Sequence, residues 1–440
     1  MQARPPGQHR GMVAAPPAAP PARKGVDGRR AGYTRRQRAI IWTAALVAFV
    51  AAIPLAASLV LQINQQQAQQ SQSARRSSVV GNVTTVPKLQ GSGQQLARYL
   101  KERVQQMTLD EEIGQMLVGA FYGGSYSNDL QAMVVNDHVG SVILYGGNIQ
   151  SMAQTEAMDA AIQAHAEIPL FISSDQEGGT VNRLLSITGY RPSAEEIAAT
   201  NDPNRAYQQG VDDGKILAQL GINLNLAPVV DVQTISDSAS VLSTRMFGTT
   251  PDKVTAFAGA YLEGMQSQNV IGCVKHWPGL GWSSVDPHDS LPIFSRSKAD
   301  LNSIDFAPYR ALIAKGDVDM VMVTHELVPA YDPTMPSSLS PILIDQVLRG
   351  ELGYQGVVVT DGLHMGALAR WTTAQIAVLA VQAGNDMLLS FTVDEIPGII
   401  AALHQAVTDG QITKARIDQS VQRILALKAR YGLIQTPFSN

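Results

Sequence analysis

The chain has 440 residues, 45% hydrophobic side chains, one cysteine and a formal net charge of −4. Residues 1–40 hold nine Arg or Lys and one Asp, so the remainder stands at −12, and so acidic a body argues against nucleic acid as a partner. The lone Cys273 excludes an intrachain disulfide and, lying in an apolar run, reads as a small buried hydrophobe.

Residues 1–38 are rich in Pro, Ala, Gly and Arg and lack the large apolar side chains of a core, which predicts a disordered basic tail. Arg35, Arg36 and Arg38 then abut an uncharged stretch, 39–61. Its 23 positions would span roughly 34 Å as a helix, enough to cross a hydrocarbon core of about 30 Å. An uncleaved transmembrane anchor is the expectation, because the apolar run is longer than that of a cleaved signal peptide. The basic flank places residues 1–38 in the cytoplasm and the rest outside the cell membrane. Residues 62–93, dominated at first by Gln and Ser, read as a flexible linker.

The globular part is expected over 94–440. A helix is predicted over 96–106, and Thr108 with Glu111 forms the capping-box pattern for the next. Apolar runs follow at 115–121, 139–145, 169–174, 223–230, 269–274, 320–324, 356–360 and 386–390. Helical periodicity separates most of them, at 148–165, 203–220, 253–268 and 341–348, and a last helix is expected over 414–430. Eight continuously apolar strands alternating with helices are the pattern of a single (β/α)8 TIM-type barrel, with a doubly wound open sheet as the alternative.

Active sites of such barrels gather at the C-terminal strand ends. Those ends carry Asp175 to Gly179 with Arg183 beyond, Asp231 and later Arg245, Lys275 with His276 followed by Asp286 and His288, then His325, Asp361 and Asp386. In an extended segment residues i and i+2 point the same way, so Asp286 can bond one ring nitrogen of His288 and aim the other outward. A plain loop ion pair satisfies the same spacing. Lys275 and His276 are adjacent and would point apart in a regular strand, so the strand is expected to end there. Gly279 and Gly281 are expected to let the following loop open and close.

Several motifs stand together in order: DQEGG with Arg183, NLNLAPVVDV, the Ser-x-Arg-x-Phe-Gly segment around Arg245, KHWPG with Asp286-x-His288, and GVVVTDGLHMGAL. This set resembles glycoside hydrolase family 3, and the Lys-His and Asp-x-His pairs are similar to its single-domain β-N-acetylglucosaminidase branch. It departs from that branch at Leu280 and Gly362, where His and Asp are common. The resemblance implies Asp361 as nucleophile and His288 as general acid/base, oriented by Asp286. It implies that Asp175, Arg183, Arg245, Lys275 and His276 bind the sugar and its N-acetyl group. The activity so implied is retaining exo-hydrolysis of terminal β-linked N-acetylglucosamine from murein or chitin-type fragments. A β-glucosidase, a β-xylosidase, a phosphorolytic enzyme and a non-catalytic sugar-binding protein on the same fold are the alternatives. The chain has no compact metal-ligand motif, since His325-Glu326 lacks a second His. No cofactor is expected, and the expected partners are a carbohydrate and the membrane, with the chain a monomer.

Overall fold

A computed structural model describes residues 93–389 and 392–438. The basic tail, the anchor at 39–61 and the linker up to residue 92 lie outside the described residues. Among those described, no helix is long and apolar enough to cross a membrane.

Eight parallel strands close into a barrel in chain order: β1 (Leu117–Ala120), β2 (Ser141–Leu144), β3 (Phe171–Ser174), β4 (Leu224–Asn225), β5 (Ile271–Trp277), β6 (Met320–Val323), β7 (Val357–Gly362) and β8 (Met387–Leu389). The ring closes where Leu117 pairs with Leu388. All eight expected apolar runs supply a barrel strand, because parallel strands covered by helices are buried on both faces and cannot alternate with polar residues. Ser141, Ser173, Leu224, Met320, Val359 and Met387 meet inside, leaving a void of only about 10 Å³. The barrel is a filled core whose floor closes the site above it.

Two strands differ from expectation at one end by three residues or more. β4 stops at Asn225 instead of running to 230, because Pro228 has no N–H to give to a ladder; only Val229 regains a bridge, to Lys275. β5 runs on through Lys275 and His276 to Trp277 instead of ending before them. The peptide between Lys275 and His276 is cis, and both side chains line the same cavity.

The helices follow local chemistry. Thr108 and Glu111 form the expected capping box ahead of Leu109–Gln115, and the helix expected from 96 starts at Gly93. Pro203–Leu220 begins on Asp202 and a first-turn proline and ends on left-handed Gly221. Lys414–Arg430 has the expected limits. The helix expected at 341–348 is a π-type segment, Ile342–Glu351.

Asp386 lies on the opposite face from the one expected. It precedes β8, at the N-terminal end of the barrel, and is fully buried. It accepts hydrogen bonds from Arg349 (2.6 Å), Arg423 (3.0 Å), Ser420 (2.8 Å) and the Val358 N–H (3.0 Å). Burial pushes its pKa up, but Arg349, Arg423 and Arg416 outweigh burial and hold it below the usual value. Asp386→Asn strips these arginines of their shared counter-charge and is expected to destabilise the fold by about 3–5 kcal/mol in urea titrations. A carboxylate with depressed pKa contributes stability above its unfolded value near 4 and loses it as pH falls through the folded value. The difference between wild type and variant should therefore shrink below about pH 4.

Candidate active site

Above the filled core opens a cavity of about 430 Å³. All eight residues to which the family resemblance gives a role line it: Asp175, Arg183, Arg245, Lys275, His276, Asp286, His288 and Asp361. They come from the ends of β3, β5 and β7 and from the loop after β4, positions up to 186 residues apart in the chain.

Its base is a chain of charges. Lys275 Nζ contacts Asp175 Oδ1 at 2.7 Å and Glu177 Oε1 at 2.6 Å. Arg245 grips Glu177 with two N–H groups, at 2.7 and 2.8 Å. Burial pushes the Glu177 carboxyl up, but Arg245 and Lys275 outweigh it and hold this acid far below the carboxylate range. Burial likewise pulls the Lys275 ammonium down, while Asp175 and Glu177 bring it above its ordinary value. So Lys275 stays cationic and Glu177 anionic. Paired with one another, these groups form a preorganised floor.

His276 joins the network at both ring nitrogens. Nδ1 lies 2.7 Å from Asp231 Oδ2 and Nε2 lies 3.2 Å from an Arg245 guanidinium nitrogen. A guanidinium only donates, so Nε2 accepts and Nδ1–H donates to Asp231. Asp231 also accepts the N–H groups of His276 (3.1 Å) and Leu280 (2.7 Å), which ties it to the start of the next loop.

Asp361 stands at the end of β7, half-buried, with Oδ1 accepting its neighbour's Gly362 N–H at 2.8 Å. Desolvation raises its pKa, but His325, His276, the Gly362 N–H and Lys275 together hold it below the usual carboxylate value. The turn is buttressed from behind. His325, fully buried, donates Nε2–H to the Gly362 carbonyl at 2.8 Å and receives the Ser338 hydroxyl on Nδ1 at 2.7 Å.

Asp286 and His288 meet as expected: ring Nδ1 is 2.8 Å from Asp286 Oδ1. The local geometry is a turn rather than an extended segment. Asp286 Oδ1 also accepts the His288 N–H at 2.9 Å, and the Asp286 carbonyl accepts from Asp289 at 3.0 Å. An Asp heading a turn folds its side chain onto the N–H two residues on, and this brings the ring back to the carboxylate. Partial burial raises the Asp286 pKa, but the His288 N–H, its ring and Arg245 hold it below the ordinary value. The His288 side chain keeps 69% exposure, so its other nitrogen can reach a substrate.

The loop between β5 and His288 is clasped. The Gly366 N–H donates to the His288 carbonyl at 2.8 Å and the Ala367 N–H to that of Pro287 at 3.0 Å. The dyad is thus tied to the segment that follows Asp361. A Cβ on Gly366 would sit 2.4 Å from the Asp289 carbonyl oxygen, which only glycine avoids. Gly281, expected as a hinge, is also a close-approach glycine, its missing Cβ facing the Val232 oxygen at 2.2 Å. Trp282 stacks on Phe294 at 4.4 Å and donates to Glu326 at 3.1 Å, so it fastens the loop from below.

Three supporting residues, Glu177, Asp231 and His325, were visible at strand ends but had no partner legible in the sequence. Arg183 lies with its guanidinium 5.6 Å from the centre of the Tyr145 ring, and Tyr145 shares the cavity wall.

The chain matches the family described as glycosyl hydrolase family 3 N terminal domain over residues 108–427. The chain belongs to glycosyl hydrolase family 3. Beta-hexosaminidase LpqI of Mycobacterium tuberculosis is 35% identical to it over 326 residues, 72% of this chain and 82% of the relative. A beta-hexosaminidase of Alkalilimnicola ehrlichii is 34% identical over 63% of this chain and 80% of its own length. Among solved structures, a family 3 β-N-acetylglucosaminidase from Paenibacillus superposes with TM-score 0.72 at 37% identity, over 76% of this chain and 64% of that one. The M. tuberculosis LpqI structure gives 0.70 at 32% identity, over 78% and 98%. As a member of the family, this family 3 protein is a glycoside hydrolase.

Proposed function

We propose that this glycosidase is an exo-acting, retaining β-N-acetylglucosaminidase that removes terminal β-linked N-acetylglucosamine from murein or chitin-type fragments. The observation that carries the reading is one cavity holding an ionised Asp361 and, on a loop tied to the same segment, a His288–Asp286 pair with an outward-facing ring nitrogen. A retaining glycosidase needs a carboxylate at one face of the anomeric carbon and a proton donor at the leaving oxygen. In this reading Asp361 attacks the anomeric carbon as protonated His288 gives its proton to the departing oxygen. The resulting glycosyl ester is then hydrolysed by a water whose proton returns to His288, so the β configuration is kept. Imidazole chemistry near neutrality suits both directions of transfer. Asp286 stays anionic and holds the ring through its Nδ1.

Asp175, Arg183, Arg245, Lys275 and His276 bind the sugar and its acetamido group in this reading. The names of the relatives above support the acetamido sugar. The proposal keeps the division read from the sequence: cytoplasmic tail 1–38, membrane anchor 39–61, linker 62–93 and an extracellular catalytic domain from 94.

Paired aryl β-N-acetylglucosaminide and aryl β-glucoside assays on the full chain test the substrate. We expect a preference of at least roughly 10²-fold in kcat/KM for the acetamido sugar, lost in Lys275→Ala. A preference for the plain glucoside would overturn the substrate while leaving the family intact.

A further inference from the structure

Six large hydrophobic side chains are exposed among the described residues, and five of them sit on loops that leave the C-terminal ends of barrel strands. Tyr122 follows β1, Leu185 and Tyr190 follow β3, and Val285 and Ile293 follow β5. Among the described residues, large apolar exposure is thus concentrated on the loops at the barrel face that carries the cavity. Scattered exposed apolar residues need no explanation, but gathering on one functional rim does.

The two aromatic members are held for display. Tyr122, 86% exposed, tops a turn whose flanking carbonyls, of Phe121 and Gly123, both accept from the Asn148 side chain, at 3.0 and 2.8 Å. Asn148 also accepts the N–H of Tyr145, at 2.8 Å, and Tyr145 lines the cavity. The Tyr122 turn is therefore stapled to the cavity wall. Tyr190, 64% exposed, is tethered by its hydroxyl to Glu196, which leaves the ring open to solvent.

What these rings face follows from the barrel. Its interior is filled beneath the site, so the sugar being cut is held at a blind end. The rest of the glycan, on the leaving-group side, then extends out at the C-terminal face of the barrel, the face from which these loops leave. Sugar rings carry an apolar C–H face that packs on aromatic rings, whose π faces are electron-rich.

We propose that Tyr122 and Tyr190 are platforms for the leaving-group side of the glycan, so that the preferred substrate is an oligosaccharide rather than a small glycoside. This rests on the exo-glycosidase reading above. The test measures kcat/KM of the full chain on chitobiose through chitopentaose and on an aryl β-N-acetylglucosaminide, with Tyr122→Ala, Tyr190→Ala and Tyr190→Phe. In wild type, kcat/KM should rise with chain length. Each alanine variant should lose roughly three- to tenfold on the longer oligomers and nothing on the aryl substrate. Tyr190→Phe, which keeps the ring, should behave as wild type. Equal losses on both substrate types, or unchanged kinetics at every length, would overturn the proposal; the second result would give the rim to a protein or lipid surface instead. If wild type fails on the aryl glycoside as well, it is the function reading that falls.

Discussion

Asp361→Gly should abolish turnover of every glycoside, by about 10³-fold or more in kcat. The reason is geometric and electrostatic together. Asp361 lies at the β7 end in a cavity where His325, His276, the Gly362 N–H and Lys275 outweigh the burial that opposes its charge. Nothing else in the proposed mechanism can form the ester. Added azide makes the result specific. With the carboxylate gone, azide can occupy the vacated space, attack the anomeric carbon and yield an α-glycosyl azide, because a single displacement inverts what two displacements retain. Recovery of the α-azide product confirms the role. Residual wild-type activity in Asp361→Gly, or a β-azide, would remove Asp361 from the nucleophile's place.

His288→Ala should lose roughly 10²–10⁴-fold on substrates with a poor leaving group such as a second sugar. An activated aryl glycoside should suffer far less in its first step, since its leaving oxygen needs no proton. A uniform loss on both would mean that the pair on this loop is an ordinary ion pair, the other reading its spacing allows. Asp286→Asn separates orientation from proton transfer. Asp286 is held below its ordinary pKa chiefly by the His288 N–H and ring, against partial burial, so it remains anionic. Removing that charge withdraws support from the imidazolium. Turnover of substrates with a poor leaving group should therefore fall, by less than in His288→Ala, in a side-by-side kcat/KM comparison of the two variants.

The barrel and the candidate site were legible to different depths. Strand positions were readable because a parallel strand covered on both faces must be apolar throughout, and such runs are hard to mistake when eight recur between helices. Their limits were less readable. Pro228 shortened β4 by a rule that was available in the sequence, whereas β5 extends through two charged residues that only their tertiary partners allow. Asp386 departs from expectation. An acid beside an apolar run fits either end of a strand, and Asp386 sits at the N-terminal end, where Arg349, Arg416 and Arg423 surround it.

The sequence by itself determined the order of strands and helices, the family motifs and eight of the residues that line the cavity. These are local properties: a periodicity, a cap, a short spacing such as Asp286-x-His288. Only the tertiary structure decided how those residues are supported. Glu177 meets Arg245 across 68 positions, Asp231 meets His276 across 45, and Lys275 meets Asp175 across 100. A contact between distant positions leaves no periodic trace in the chain. It is fixed by closing the barrel, which brings eight strand ends to one face and lets charges that would be costly alone neutralise one another out of water.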